Sequence, residues 1–405
     1  MTRPIPAVAI FDNYWAANLA FARSLGRQRV PLHFYGSGAG RWSRYCTLRR
    51  PCPPVENAAV FVPWLRDRLR SGEIVRVAPT TDLIAFYISS LRSEFAPEVQ
   101  RTIAPLAEIE NCLIKTRFSL VSAVENESML PTASADSLES ATIFASRLGY
   151  PLILKPNSHL VVGFAKRGVV VRSQEDLALH FARYDAIPGQ EDLALTYPEV
   201  QWPLIQRYLP SARNRVYSVS GVKDVDGGVL SACVSYKREQ WPPDVGVSTV
   251  QIGCENARIL EYGLKIIDKV LSRGIFEIEV VADGENLYAI DLNPRAFGFI
   301  ALDIARGSDL PWLWYRSTLQ RMTPSPNAIF KSAIVARSSL LAFMGPLFKR
   351  RLRLTGDEER RNSSLPRTVV SMLGYWSDPV PMIANRLYEL RHPRSFLRGQ
   401  WPRRA

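Results

Sequence analysis

Three oxygen-bearing side chains, Glu279, Asp291 and Asn293, provide the most informative chemistry in this sequence. They belong to the stretch from Ile275 to Arg295, in which apolar and polar residues alternate around an Asp283-Gly284 turn signal. Alternation with a period of two places every second side chain on the same face of a strand, so the three gather on one face of a predicted hairpin. Hard oxygen ligands grouped in this way suit Mg²⁺, which bridges one or two carboxylates to the phosphates of a nucleotide.

The alternative for this hairpin is a solvated polar face that binds nothing. Glu277 shares the face and is a weaker ligand candidate than the other two acids. The ending of the stretch, Asn293-Pro294-Arg295, favours the metal site over the solvated face.

A lysine at the end of a second predicted strand is suited to binding phosphate. The segment from Leu148 to Pro156 reads as a turn followed by a strand that carries Lys155 near its end, and the polar loop from Asn157 to Gly168 follows it. A lysine beside such a loop can hold phosphate oxygens while backbone N–H groups cover them. A surface lysine without a ligand is the alternative, and this segment alone leaves both open.

The elements at the front of the chain predict a parallel α/β unit. Ala7 to Phe11 and Val30 to Tyr35 have strand character, and the segment from Trp15 to Leu25 between them has helical spacing. Strand, helix and strand in this order are typical of a parallel sheet. Ile74 to Ala78 is predicted as a further strand, with a helix cap at Pro79 to Asp82.

Length and charge set the frame for these motifs. With 405 residues, 47% of them hydrophobic, the chain has room for two or three domains with a buried core. The net charge is +13, but residues 331–405 hold 15 lysines and arginines against 5 aspartates and glutamates, so most of the excess lies there. This basic region is interleaved with aromatic residues, a pattern suited to an anionic membrane surface or to nucleic acid. A solvated basic face is the alternative, and no nucleic-acid partner is expected because no nucleic-acid-binding motif accompanies the charge.

The remaining compositional features predict a cytoplasmic protein. The first residues lack the long apolar core of a signal peptide, and no window offers an uninterrupted membrane span. The five cysteines are scattered without metal-ligand spacing, which fits a reduced compartment. We therefore expect a cytoplasmic location, with the basic region as a candidate for peripheral contact with the inner membrane surface.

Taken in order, these segments resemble the ATP-grasp superfamily over about residues 5–320. The resemblance is closest to the carbamoyl-phosphate synthase and biotin carboxylase branch, and within it to carboxylate–amine ligases related to D-aspartate ligase. No one motif is decisive, but six occur in the order of the family: Cys112 to Phe118, Leu152 to Pro156, Leu204 to Pro210, Tyr236 to Gln240, Phe276 to Val280, and Ile290 to Arg295.

The resemblance implies an α/β (α+β) fold in three parts. Residues 1–110 correspond to a doubly wound pre-ATP-grasp domain. Residues 111–325 correspond to the ATP-grasp domain, with a mobile lid at about residues 130–204. Residues 326–405 form the small basic C-terminal region.

The resemblance also implies roles for individual residues around ATP and Mg²⁺, with Mn²⁺ as an alternative metal. Glu279, Asp291 and Asn293 would be the metal ligands. The catalytic residues would be Arg295, which faces the anionic reacting group, and Lys237 and Arg238, the basic pair that lines the acceptor side. The implied nucleotide contacts are Lys115, Lys155, Ser158, Gly163, Lys166, Gln206, Arg207, Tyr208 and Leu209, the last four through the hinge beside the adenine.

The implied activity is ligation of a small carboxylate to an amine, or to a thiol, through an acyl phosphate with release of ADP. A homodimer is a further expectation. The alternatives are a degenerate ATP-binding protein that docks through its basic region and, ranked lower, a carboxylating enzyme of the carbamoyl-phosphate synthase or biotin carboxylase type. Two departures from the family pattern bear on this choice: Asp291 and Gln206 stand where relatives more often have glutamate.

Overall fold

The computed structural model describes residues 5–11, 15–123, 129–162, 168–210, 215–241, 245–322, 334–336, 369–371 and 377–391. Within these ranges the strands form one three-stranded, one four-stranded and one seven-stranded sheet. No helix in these ranges is long and apolar enough to cross a membrane.

The three-stranded sheet is parallel and lies at the front of the chain. Its order is β1 (Val8–Phe11), β2 (Leu32–Tyr35) and β3 (Leu48–Arg50), with α1 (Trp15–Arg27) between the first two strands. The predicted order of strand, helix and strand is confirmed. The remaining helices of this region are α2 (Ala58–Arg70), α3 (Asp82–Ser90), α4 (Pro97–Gln100), α5 (Leu106–Leu113) and α6 (Lys115–Val121).

The strand predicted from Ile74 to Ala78 was wrong in extent, whereas the cap after it is confirmed. This segment makes one isolated bridge, between Val77 and Ala9 of β1, because only two backbone hydrogen bonds tie it to that strand. The side chain of Thr81 then accepts a hydrogen bond from the Ile84 amide, as an N-cap does, and α3 begins at Asp82.

The four-stranded sheet is antiparallel and lies in the middle of the chain. Its order is β4 (Thr132–Ser134), β7 (Pro203–Arg207), β5 (Leu152–Pro156) and β6 (Val169–Val171). The helices of this region are α7 (Leu138–Leu148), α8 (His159–Val162), α9 (Gln174–His180) and α10 (Glu191–Thr196). A cluster of its own buried residues forms the core here.

The seven-stranded sheet carries the acidic hairpin. Its order is β12 (Asn286–Asn293), β11 (Gly274–Asp283), β8 (Val216–Lys223), β9 (Val229–Trp241), β10 (Val247–Cys254), β13 (Ile334–Ala336) and β14 (Val369–Ser371). The remaining helices are α11 (Ala257–Val270), α12 (Ile300–Arg306), α13 (Leu310–Ser317) and α14 (Val380–Arg391). Alternate residues of β11, among them Phe276, Ile278 and Val280, are fully buried, so the apolar face of the hairpin anchors it and leaves the opposite face for polar side chains.

Candidate active site

The hairpin predicted from Ile275 to Arg295 is confirmed, and its register brings the acidic side chains together. Strands β11 and β12 pair Glu279 directly with Asp291, and Glu277 with Asn293. Side chains that are directly opposite in an antiparallel pair have their Cβ atoms only about 4.5–5.5 Å apart. Three carboxyl groups and one amide therefore share one patch of the sheet.

Three lysines from three separate elements converge on this patch. Lys115, the first residue of α6, places its Nζ 2.7 Å from Oδ1 of Asp291. Lys237 of β9 places its Nζ 2.6 Å from Oε1 of Glu279. Lys155 of β5 donates to the backbone carbonyl of Ile290 at 3.2 Å. The cluster of Lys115, Lys155, Lys237, Glu279 and Asp291 is called the lysine–carboxylate cluster below.

Asn157 fixes the position of Lys115 relative to Lys155. Its carbonyl accepts a hydrogen bond from the Lys115 amide at 2.9 Å, and its Oδ1 accepts one from the Thr116 amide at 2.9 Å. The side chain of Asn157 also donates to the carbonyl of Glu199 at 3.3 Å. Since Asn157 is fully buried, these bonds lock the start of α6 against the end of β5.

The electrostatics of the cluster differ from one lysine to the next. Burial, reinforced by Lys115 and Lys237, lowers the pKa of Lys155 to about 8 against the attraction of Asp291 and Glu279. Burial also opposes the charge of Lys237, but the neighbouring carboxylates, Glu279 first, outweigh it and raise its pKa. Lys155 is therefore the one of these two lysines whose charge is sensitive to pH near neutrality.

Asp291 is held as a carboxylate by its surroundings. Burial alone would raise its pKa, but the positive charges of Lys115 and Lys155 and the hydrogen bond from Lys115 outweigh burial and lower it. An ionised carboxylate is the form that binds a divalent metal ion.

A chain of buried hydrogen bonds joins the patch to the front of the molecule. Ser218 Oγ donates to Oε1 of Glu277 at 2.6 Å, and Asn293 Nδ2 donates to its Oε2 at 2.6 Å. Asn293 Oδ1 in turn accepts from Nη2 of Arg295 at 2.7 Å. Arg295 Nε then donates to Oδ1 of Asp82 at 2.5 Å, so the series of hydrogen bonds ends at the first turn of α3.

Several members of this hydrogen-bond network are buried. Glu277 is 1% exposed, and burial together with the charge of Glu279 raises its pKa. The Asn293 amide is used at both ends, which holds its oxygen on the side of Arg295. The ion pair between Arg295 and Asp82 is also buried, with side-chain exposures of 9% and 6%.

The hinge residues lie at the end of strand β7. Gln206 is buried and donates to Oγ1 of Thr132 at 2.8 Å, whereas Arg207 is exposed. The amides of Arg207 and Tyr208 donate to the carbonyls of Pro131 and Pro151 at 3.1 and 3.2 Å. Leu209, which is half-buried, follows directly.

Four other predicted site residues are placed differently or not described. Within the described part of the chain, Arg238 makes no ion pair with the carboxylates; it is the extra residue at a slip in the pairing of β9 with β10. Ser158 is 1% exposed, and its Oγ accepts from the Leu160 amide at 3.3 Å. Gly163 and Lys166 lie outside the described residues.

The donor set fits the metal that the sequence predicts. Two carboxylates and one amide oxygen on one face of the hairpin are too few for an all-protein cage, and no group of three or more His, Cys, Asp or Glu side chains suited to a metal occurs in the described ranges. Mg²⁺ commonly takes one or two carboxylates and completes its octahedron with water and phosphate oxygens. Glu279 and Asp291 are the residues that provide such carboxylates here.

Sequence reasoning missed Asp82, Ser218 and Asn157 as parts of the site. Asp82 was recognised only as part of a helix cap and Asn157 only as the first residue of the loop after Lys155, and Ser218 carried no motif of its own. Their contribution is a contact across the fold, with separations of 213 residues for Asp82 and Arg295 and 59 residues for Ser218 and Glu277.

No family model matches the chain. A curated relative, the carbamoyl phosphate synthase arginine-specific large chain of Geobacillus stearothermophilus, is 29% identical over 177 residues. The match covers 41% of this chain and only 15% of that much longer relative.

Solved structures are similar over most of the chain at low sequence identity. Biotin carboxylase from Campylobacter jejuni has a TM-score of 0.62 at 14% identity and covers 81% of this chain and 74% of its own. The biotin carboxylase domain of the Hydrogenobacter thermophilus 2-oxoglutarate carboxylase, with MgADP and bicarbonate, has a TM-score of 0.62 at 15% identity over 80% and 72%. L-amino acid ligase from Bacillus licheniformis has a TM-score of 0.55 at 14% identity over 79% and 76%. At these identities the likeness establishes the fold.

Proposed function

We propose that this chain, which has the ATP-grasp fold, is an ATP-dependent ligase that joins a carboxylate to an amine. The predicted ATP-grasp fold and α/β fold class are confirmed by the structural likenesses, and the reaction is the proposal. The observation that carries it is the lysine–carboxylate cluster, in which Lys115 and Lys237 hold Asp291 and Glu279 on one face of a hairpin.

The chemistry of amide formation explains why such a cluster is needed. A carboxylate is unreactive towards an amine until one of its oxygens has attacked the γ-phosphorus of ATP, which forms an acyl phosphate and releases ADP. Both partners of that attack are anions, so repulsion between them is the main obstacle. Converging positive charges that are already in place lower this barrier, the electrostatic contribution that dominates phosphoryl transfer.

We assign the phosphate contacts to Lys115 and Lys155. Lys115 is buried and Lys155 half-buried, both act electrostatically on Asp291, and the loop after Lys155 is the segment that would cover the phosphates. Glu279, Asp291 and Asn293 would hold Mg²⁺ or Mn²⁺, which supplies Lewis-acid neutralisation of the phosphate oxygens when bound. The oxygens of Glu279 and Asp291 already face lysines, and the side-chain oxygen of Asn293 accepts from Arg295, so these residues are oriented before any ligand arrives.

The hinge and the acceptor side complete the proposal. Gln206, Arg207, Tyr208 and Leu209 would lie along the adenine. Because the amides of Arg207 and Tyr208 already donate to the carbonyls of Pro131 and Pro151, we assign the reading of the adenine edge to Leu209. Lys237 and Arg295 lie on the side of Glu279 and Asn293 and would neutralise the carboxylate substrate. Arg238 does not reach the cluster. It would neutralise the carboxylate substrate as well only if β9 moved.

The second half-reaction balances without further reagents. The amine nitrogen attacks the carbonyl carbon of the acyl phosphate, the C–O bond to phosphate breaks, and the nitrogen gives up a proton as the amide forms. A loop that covers the phosphates excludes water, which would otherwise attack the same carbonyl carbon and hydrolyse the acyl phosphate. A thiol acceptor would follow the same course.

We further propose that the protein acts on small-molecule substrates in the cytoplasm, as a homodimer of the kind that the Hydrogenobacter domain forms. The three-part domain division at residues 110 and 325, with a lid at about 130–204, is part of the same proposal. The four-stranded sheet at 132–207 and its helices are the elements that would form the lid.

The test is to incubate the protein with Mg-ATP and pools of carboxylic acids, amino acids and thiols, and to measure ADP and phosphate. Release that requires both an acid and an acceptor supports the ligase. Release that requires bicarbonate would instead support a carboxylating enzyme, a class represented among the structural neighbours. Tight ATP binding without release in any pool would favour a degenerate nucleotide-binding protein.

A further inference from the structure

The C-terminal helix α14 is fixed to the front of the molecule by one buried aspartate. Asp378, 1% exposed, pairs with Arg23 of α1 through an Nε–Oδ2 contact of 3.0 Å. Its two carboxylate oxygens also accept from Ser43 Oγ and from the Arg44 amide, each at 2.9 Å. The guanidinium of Arg44 donates to the carbonyl of Ser377 at 3.1 Å. The helix that begins two residues later is therefore held in a defined place.

The helix presents a stripe of exposed apolar side chains. Val380, Ile383 and Leu387 are 49%, 51% and 52% exposed, and their spacing of three and four residues places them along one side of the helix. Pro381, on a different side, is buried. Exposed apolar residues that align in this way mark an interaction surface more often than single scattered ones do.

A tryptophan flanked by arginines lies on the element next to this helix. The 3₁₀ helix Ala39–Trp42 packs against α14, and Trp42 is 45% exposed. The guanidinium carbons of Arg41 and Arg49 lie 5.1 and 5.2 Å from the centroid of the Trp42 ring. An indole with stacked guanidinium groups suits a boundary between water and an apolar phase, since it offers an apolar body and charged edges together.

A basic cavity opens beside the same tryptophan. It has a volume of about 480 Å³ and is lined by Arg41, Arg49 and Arg50, with Glu56 as the acidic residue among its lining side chains. Arginine matches phosphate oxygens in pairs, so three arginines around one cavity are suited to a phosphate group. A cavity of this size admits such a group together with the polar head that carries it.

We propose that this face, formed by α14, the 3₁₀ helix Ala39–Trp42 and the arginine cavity, docks on an anionic phospholipid surface. Val380, Ile383 and Leu387 enter the boundary between headgroups and acyl chains, and the arginine cavity receives a lipid phosphate. The charge of the chain favours an anionic lipid surface as the partner. Residues 331–405, which include α14, carry 15 basic against 5 acidic residues. An apolar stripe with basic surroundings is the pattern of a helix that lies in a membrane interface.

Point substitutions on the stripe test the proposal in the full chain. The double variant Ile383→Asp/Leu387→Asp is compared with Leu179→Asp/Leu195→Asp, which alters two exposed leucines, 69% and 80% accessible, on α9 and α10. Binding to vesicles of phosphatidylcholine alone, or mixed with phosphatidylglycerol, is measured by co-sedimentation. We expect wild type to bind the mixed vesicles, the stripe variant to bind at least about tenfold more weakly, and the control variant to bind as wild type.

The cavity is tested with Arg49→Ala/Arg50→Ala. We expect weaker binding to the phosphatidylglycerol vesicles and a shallower dependence on salt around 0.15 M, since two positive charges are lost. A thermal melt of each variant confirms that it is folded.

Three results would overturn the proposal: absence of wild-type binding to the mixed vesicles, equal binding to both kinds of vesicle, or equal binding by the stripe and control variants. Loss of self-association in the stripe variant without any vesicle binding by wild type would assign the face to a second copy of the chain instead. Deleting residues 349–405 is a weaker test, because it also removes Asp378 and its contact with buried Arg23.

Discussion

Asp291 lies directly opposite Glu279 across β11 and β12, and each of these two acids is paired with a lysine that comes from a different part of the chain. Like charges that face each other across two strands destabilise a sheet, so this pair is tolerated only because cations accompany it. A solvated hairpin face needs no such arrangement. The pairing therefore favours a site that binds charged ligands.

Replacing Asp291 by asparagine should abolish most of the proposed activity while leaving the protein folded. The amide keeps the shape of the side chain but removes the charge that pairs with Lys115 and would bind Mg²⁺. We expect Mg-ATP-dependent ADP release to fall on the order of 10²–10³-fold, the loss typical of one preorganised charge contact. The matched control is Glu285→Gln at the turn of the same hairpin, whose side chain is 96% exposed. Wild-type release by Asp291→Asn would refute the metal assignment.

Nucleotide affinity should weaken as pH rises through about 8, the pKa of Lys155. Above that pH the free protein loses the positive charge of this lysine, so a polyphosphate binds only with uptake of a proton. The dissociation constant of ADP, measured by calorimetry from neutral pH upwards in buffers of different ionisation enthalpy, should rise together with that proton uptake. In Lys155→Arg, whose side chain keeps its charge throughout this range, both effects should disappear. The same pH dependence in wild type and Lys155→Arg would show that another group titrates.

The buried pair of Arg295 and Asp82 should couple strongly in stability. Removing one partner leaves a charge in a site where both side chains are under a tenth exposed, and we expect Asp82→Asn to lower the free energy of unfolding by about 3–5 kcal/mol. A double-mutant cycle with Arg295→Met, measured by urea unfolding, should recover part of that loss. The exposed pair of Arg258 and Glu285 is the control, and its coupling should stay within about 1 kcal/mol. Equal coupling energies for the two pairs would contradict the buried ion pair.

How much of this molecule could be read from its sequence depended on the range of the interaction. The hairpin was predicted correctly because alternation along β11 and β12 is a local signal, and the parallel unit of β1, α1 and β2 for the same reason. The segment around Val77 was predicted as a strand but forms only an isolated bridge. β-Propensity indicates how well side chains suit a pleated sheet, and it does not indicate how many hydrogen bonds a neighbouring strand offers.

The partners of the site residues were beyond local reasoning. Lys115 and Asp291 are 176 residues apart, and no periodicity links them; only the resemblance to ATP-grasp enzymes placed both near the phosphates. The engagement of Arg295 by Asp82 and Asn293 had no signal in either segment. Such contacts arise when three sheets pack, so they follow from tertiary structure and not from propensity.

The buried contacts of Asp378 should stabilise the fold as well as orient α14. Replacing Asp378 by alanine removes the carboxylate that pairs with Arg23, where the two side chains are 1% and 4% exposed, and it also removes the acceptors of Ser43 and Arg44. We expect the free energy of unfolding to fall by about 3–5 kcal/mol, the usual cost of breaking a buried pair. Asp226→Ala, in an exposed pair with Arg321, should cost less than about 1 kcal/mol and serves as the control.

Because Asp378 lies between the front of the chain and α14, its loss should also expose the C-terminal segment to limited proteolysis before the rest of the protein unfolds. Unchanged stability together with unchanged proteolysis would show that α14 does not depend on this contact, whereas early cleavage at residues 377–391 would show that Asp378 is what holds the helix in place.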